Sequence, residues 1–310
     1  MKHNLKINLL LVLIFLLAQF TGLYVVNHYI NHKATAETKV VQWEPLPYEF
    51  ERPEVKNQLT SFIWVVAAVI IGTLLFLLLI KLNKPTVWKV WFSFTVWITL
   101  LFSFSAFVSS TIAAFLALAF ALVRIFKPNV IAHNISEIFI YGGLAAIFVP
   151  ILNIFAVSML LILISVYDMI AVWKTKHMVH LAEFQAKTKS FAGLFISYKS
   201  KSKSALKLDS DVKGKNKKYH TKKLQPSAAI LGGGDIGFPL IFAGAVMKTL
   251  MLKETVLRGF LITSIIPVCT AIALFILLYK GENNKFYPAM PFLSAGCFIG
   301  FGIIFLLGVL

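Results

Sequence analysis

Thirteen acidic residues occur in this chain of 310, and three of them, Glu137, Asp168 and Asp235, fall inside long apolar runs. A charge at membrane depth costs about 2.5–3.5 kcal/mol on insertion scales, so each of these carboxylates asks for a reason. Two carboxylates held side by side cannot both ionise cheaply; one keeps its proton and the pair titrates as a unit. Such a pair can do the chemistry of an aspartic protease. The ionised member draws a proton from water while the protonated member donates to a peptide carbonyl. The same pair could instead relay protons or ions in a transporter or channel, or simply tie two helices together. Glu137, beside Asn134 and Ser136, reads as an interfacial group or a hydrogen-bond partner of a neighbouring helix rather than as a catalyst.

Other chemistries find no footing. There is no HExxH motif for zinc and no GxSxG nucleophile elbow. In "KHMVHLAEF", His177, His180 and Glu183 recur at three-residue spacing, but so do Met178, Leu181 and Phe184. That pattern describes an amphipathic interfacial helix rather than a metal site. Cys269 and Cys297 sit in apolar runs and read as small buried hydrophobes. Neither a metal nor a cofactor is expected.

The elements that must position Asp168 and Asp235 are membrane helices. The chain is 58% hydrophobic with a mean hydropathy of +0.81, more apolar surface than a soluble domain can bury. The expected fold is all-α, a polytopic membrane protein with nine transmembrane helices near 7–30, 61–80, 87–106, 108–126, 130–149, 151–173, 226–247, 256–280 and 288–310. The first is too long for a signal-peptide core and is read as retained. These spans divide the chain into a six-helix part, 1–173, a basic loop, 174–225, and a three-helix part, 226–310. With the N-terminus in the cytoplasm, 23 of the 30 lysines and arginines fall on cytoplasmic segments, as the positive-inside rule requires. Lys248, Lys253 and Arg258 are the untidy exceptions. The C-terminus is then outside. Asp168 lies six residues before Lys174, about 9 Å inside the cytoplasmic end of its span. Asp235 enters from the same side to a depth of about 10–14 Å. The two carboxylates are thus expected at one level on sequential, antiparallel helices.

The remaining long segments are of two kinds. The outer segment 31–60 contains "QWEPLPYEFERPEV", whose three prolines predict ordered or extended chain rather than helix. The lysine-rich part of 174–225 predicts a partly disordered linker, with anionic lipid as its partner. No nucleic-acid partner is expected.

Gly232, Gly234 and Gly237 surround Asp235, and Pro239 follows. Each glycine costs about 1 kcal/mol of helix propensity relative to alanine and permits close backbone approach. A site that unwinds a substrate helix needs both. Packing between helices would use glycines equally well. Pro288 and Pro291 in "YPAMPFLSAG" predict an extended strip at the ninth span, able to pair with an unwound substrate, or else an ordinary helix start.

At these residues the sequence resembles the presenilin family of GxGD intramembrane aspartyl proteases. Tyr167-Asp168 matches the YD motif, Gly232-Gly233-Gly234-Asp235 the GxGD motif, and Pro288-Ala289-Met290 the PAL motif with methionine for leucine. The run "VYDMIAVWKTKHM" is similar to archaeal presenilin homologues. The resemblance implies Asp168 and Asp235 as catalytic pair. It implies that Tyr167, Gly232, Gly234, Pro288, Ala289 and Met290 shape the site, and that substrates are membrane proteins with single or few spans in the cell membrane. Signal peptide peptidases share the motifs in the opposite orientation, and prepilin-type peptidases share the GxGD aspartate chemistry. Helper subunits are not legible.

Overall fold

The computed structural model describes residues 5–52, 61–82, 85–126, 129–175, 192–198, 227–281 and 287–309. Apart from the short α2, its helices follow the apolar runs. They are α1 (Leu5–His28), α2 (His32–Thr38), α3 (Ser61–Lys81), α4 (Pro85–Phe104), α5 (Ser110–Phe126), α6 (Val130–Ile151) and α7 (Ile154–Ile170), then α8 (Gly233–Leu250), α9 (Val256–Thr263), α10 (Ile265–Lys280) and α11 (Met290–Leu306). Five stretches of the described residues are long and apolar enough to cross a membrane: Leu5–His28, Thr86–Phe104, Val130–Ile151, Ile154–Trp173 and Val256–Lys280. The last joins α9 and α10 through Ser264.

The fold is mostly helical and departs from the all-α expectation in one place. Gly193–Tyr198 forms β1 and Ser227–Gly232 forms β2, paired antiparallel with Gly193 opposite Gly232 and Ile196 opposite Ala229. The seventh helix therefore starts at Gly233, not at 226. Small apolar residues such as those of "SAAILG" do not distinguish a buried strand from the start of a span. The segment 174–225 likewise contains an ordered strand. Its lysine-rich part and the segment around His177, His180 and Glu183 lie outside the described residues.

Position in the bundle explains why the helices lack one apolar face. α1 packs against α6, α8 and α10, and buries Leu11, Phe15, Ala18, Leu23 and Val26. α3 lies at the periphery, with Trp64 73% and Leu74 60% exposed, as a lipid-facing helix should. Gly143 allows α6 to meet α4, because a Cβ there would collide with the Thr99 carbonyl. Gln19 of α1 donates to the Ile236 carbonyl at 2.8 Å, tying the central helix to the first turns of α8.

The outer segment, described as far as Arg52, is not extended throughout: it holds the short α2 and a helical turn at Pro47–Glu49. Asn31 caps the short α2, and Ile30 bridges to Trp43. The Arg52 guanidinium lies over the rings of Tyr29 and Trp43 and donates to the Glu44 carbonyl at 2.8 Å.

Lys248 explains part of the untidy charge balance. It is 7% exposed, and its Nζ donates to the carbonyls of Val149 at 2.8 Å, Pro150 at 3.4 Å and also Leu152. These are carbonyls at the end of α6, which lack intrahelical partners. Lys248 is thus a helix cap in the bundle, not an outer surface charge. Lys248→Met is expected to destabilise the fold by about 2–4 kcal/mol, because it strands those carbonyls in an apolar setting. Thermal unfolding in detergent, against Arg258→Met as a control at an exposed, singly paired side chain, measures the difference.

Candidate active site

Asp168 lies in the last turn of α7 and is 6% exposed. Its Oδ2 accepts the Met290 backbone N–H at 3.1 Å, and the Ala289 N–H also faces the carboxylate. Met290 opens α11, where a helix has N–H groups with no partner inside the helix. One such group is spent on the aspartate. One turn before Asp168, Ser165 shares a 2.8 Å hydrogen bond with Ser294, so α7 and α11 are zipped beside the carboxylate. Pro288 is buried and lies before the helix. Pro291, by contrast, sits within the first helical turn, where its missing N–H is not needed. The extended strip is therefore shorter than the prolines predicted and ends before Ala289, whose backbone is already helical (φ −85°, ψ −34°). Tyr167 is 40% exposed; its hydroxyl meets Thr73 of α3, and the charge of Asp168 also acts on it.

Asp235 arrives from the other side. Gly232 is the N-cap of α8, which makes Gly233, Gly234 and Asp235 the first three helical residues. A carboxylate at the third position can reach back to the N-cap N–H, and the Gly232 backbone does bond Asp235. The side chain is partly exposed, and the charge of Asp168 acts upon it. α7 and α8 are packed together, and the two carboxylates lie near enough to interact.

The glycines act through space rather than through unusual dihedrals. Among the described glycines only Gly193 and Gly308 have positive φ. A Cβ at Gly233 would stand 2.8 Å from the Tyr141 hydroxyl, and one at Gly232 would stand 3.2 Å from Asp235 Oδ2. Gly234 is exposed, with its nearest neighbour, Phe238, at an ordinary 3.4 Å. The tightest position is thus Gly233, the variable residue of the motif.

Of the two expectations for Glu137, an interfacial group or a partner of a neighbouring helix, the structure shows the second. It is 1% exposed, pairs with Arg124 of α5, and accepts from the Tyr141 hydroxyl and from the Gly193 N–H at 3.0 Å. A cavity of about 400 Å³ opens behind the GxGD turn. Arg124, Glu137 and Tyr141 line one side of it, and Gly233, Gly234 and Gly237 another. Strand β1 itself was missed. The alternation in "GLFISY", with Leu194 and Ile196 buried, was its signal.

The family of signal-peptide peptidase and presenilin aspartyl proteases matches residues 44–309. No curated protein is significantly similar to the chain in sequence. Two solved structures of a presenilin family intramembrane aspartate protease, in C222 and P2 space groups, share the fold. The first has a TM-score of 0.62 and 20% identity, over 97% of this chain and 99% of that one. The second has 0.58 and 20%, over 96% of each. The match runs from the outer segment through both aspartates to the end of α11, and on it the chain belongs to the signal-peptide peptidase and presenilin family of aspartyl proteases.

Proposed function

We propose that Asp168 and Asp235 are the working pair of this intramembrane aspartyl protease, activating a water for attack on a peptide bond at membrane depth. One carboxylate takes the proton of the water as it adds to the carbonyl carbon. The other donates a proton to the carbonyl oxygen. Collapse of the tetrahedral intermediate returns a proton to the leaving amine, so no covalent enzyme intermediate forms. The observation that carries this reading is the convergence of Asp168 and Asp235 from two helices, with the α11 N-terminus donating to one of them. A relay of protons or ions receives no comparable support.

The substrate is read as a single- or few-span membrane protein, held extended against β2. Gly193 and Phe195 of β1 bond away from β2, so by antiparallel alternation their partners Gly232 and Ile230 direct their backbone groups to the opposite edge. Among the described residues no strand covers that edge. It runs straight into Asp235, where a bond paired to it meets the carboxylates. Strand addition supplies main-chain hydrogen bonds regardless of sequence. Ile230→Pro deletes one outward N–H without touching the β1 pairing. It is expected to lower kcat/KM on a membrane-helix peptide about tenfold or more. Normal rates with that variant would remove β2 as the docking edge.

We read the chain as nine spans in a 6 + 3 arrangement, with the N-terminus and the 174–225 loop cytoplasmic and the C-terminus outside. The lysine distribution supports it, as does the coincidence of α1, α3–α8, α9–α10 and α11 with the nine apolar runs. Protease digestion of sealed, oriented vesicles tests it. Cleavage within 199–223 from the outer face would favour the signal-peptide-peptidase orientation. The lysines there make anionic lipid headgroups the expected surface partner.

A further inference from the structure

β1 has two edges. One pairs with β2, and the other meets the first turns of α6 instead of a strand. Asn134 binds Phe195 twice: its Nδ2 donates to the Phe195 carbonyl at 2.8 Å, and the Phe195 N–H donates to its Oδ1 at 3.0 Å. The Gly193 N–H donates to Glu137 Oε2 at 3.0 Å, and His133 Nε2 lies 2.7 Å from the Gly193 carbonyl. All four backbone groups that β1 turns away from β2 at Gly193 and Phe195 are therefore held by side chains of one helix. Residues 133, 134 and 137 share a helix face by their spacing.

The clamp is itself fixed. Glu137 is bound by Arg124 of α5 and by Tyr141 one turn further along α6. The Arg124 and Glu137 side chains are 3% and 1% exposed. A buried ion pair of this kind adds little net stability, and its best-attested use is to fix one arrangement over others. Gly193, at φ 138, adopts a conformation open to glycine alone. The start of β1 is thus pinned by backbone and side chain together.

The geometry points to His133, Asn134 and Glu137 as positioning residues of the protease: a helix-borne clamp that closes one edge of β1, fixes its register with β2, and leaves the β2 edge as the single place for a substrate strand. This rests on the reading that substrate pairs with β2. A neighbouring strand could not do the same work, because two strands slide past each other in steps of two with all bonds remade. Side chains rooted on a helix cannot follow such a slide. A one-residue slip is already opposed, since it would turn Leu194 and Ile196 out of the core. The clamp opposes the two-residue slip that hydrophobic patterning permits. Register in turn decides which substrate bond meets Asp235, so the clamp sets the position of the cut.

The experiment uses the full chain in liposomes, as wild type, Asn134→Ala, Asn134→Asp and Glu137→Gln. Two readouts are taken: amide exchange over 192–198 and 227–232, and the cleavage positions on one membrane-helix peptide by mass spectrometry. Asn134→Ala and Glu137→Gln are expected to raise exchange in β1 about tenfold or more and to spread the cut over neighbouring bonds, with a larger effect on KM than on kcat. Asn134→Asp keeps the acceptor for the Phe195 N–H and should fall between. If Glu137→Gln fails to fold, the two Asn134 variants carry the test. Unchanged exchange in folded variants overturns the clamp. Raised exchange with wild-type cleavage positions overturns its role in setting the cut. Ile230→Pro, run alongside, separates these from failure of the β2 reading: normal cleavage in that variant shows that substrate does not use the edge at all.

Discussion

Asp168→Asn and Asp235→Asn are each expected to abolish proteolysis, with losses of about three orders of magnitude or more. Asparagine keeps the volume and one acceptor oxygen, so Asp168→Asn retains a partner for the Met290 N–H. What it lacks is the ability to exchange a proton. The double variant should be hardly worse than either single one, because a pair acting on one water fails when either member fails. Thermal unfolding should stay near wild type, since each substitution keeps the side chain's volume and relieves a pair of acids that cannot both ionise cheaply. The measurement is the initial rate of cleavage of a membrane-helix peptide, with unfolding recorded on the same preparations. Substantial residual cleavage in either variant would break the assignment of the pair.

Pro288→Leu should cost about a hundredfold in rate with little loss of stability. α11 starts at Met290 because Pro288 lacks an N–H to continue a helix from upstream and keeps the residue before it out of helical geometry. Leucine would let the helix begin a turn earlier. The Met290 N–H would then bond a carbonyl within its own helix and leave Asp168 Oδ2. The carboxylate would lose a fixed donor and turn, and misplacement by about 1 Å is enough for a loss of this size. Met290→Leu leaves the backbone N–H in place and nearly conserves volume, so its rate should be close to wild type. Normal cleavage by Pro288→Leu would reduce the strip to an ordinary helix start.

Much of this was legible in the chain. The spans could be read because twenty apolar residues in a row have few other uses, and the aspartates because charge at that depth is rare. Short-range features were harder. β1 is a six-residue alternation inside a segment dominated by lysines, and composition averaged it away. β2 is built of small apolar residues that suit a strand or a helix, and only its partner decides. Counting Lys248 as an outer charge followed from its place at the end of a span; that it folds back onto the end of α6 is a tertiary fact. The glycines of the motif were read for their freedom, whereas contact with Tyr141 singles out Gly233. That contact joins residues 92 positions apart and leaves no local trace.

The edge of β2, which no strand covers among the described residues, has a consequence for hydration. Hydrocarbon cannot satisfy the N–H and C=O groups of an unpaired strand, and each one left bare costs several kcal/mol. Between turnovers that edge must carry water, in a bundle otherwise built to exclude it. The neighbouring cavity of about 400 Å³, with Arg124, Glu137 and two threonines on its wall, has the polar groups to hold more. A hydrolase inside a bilayer needs water as a reactant where water is scarce. If β2 receives the substrate as proposed, that surface is also the one that must be wet beforehand. An arriving strand releases the water bound along β2, and the molecule consumed in hydrolysis need travel only the few ångströms from that edge to the aspartates.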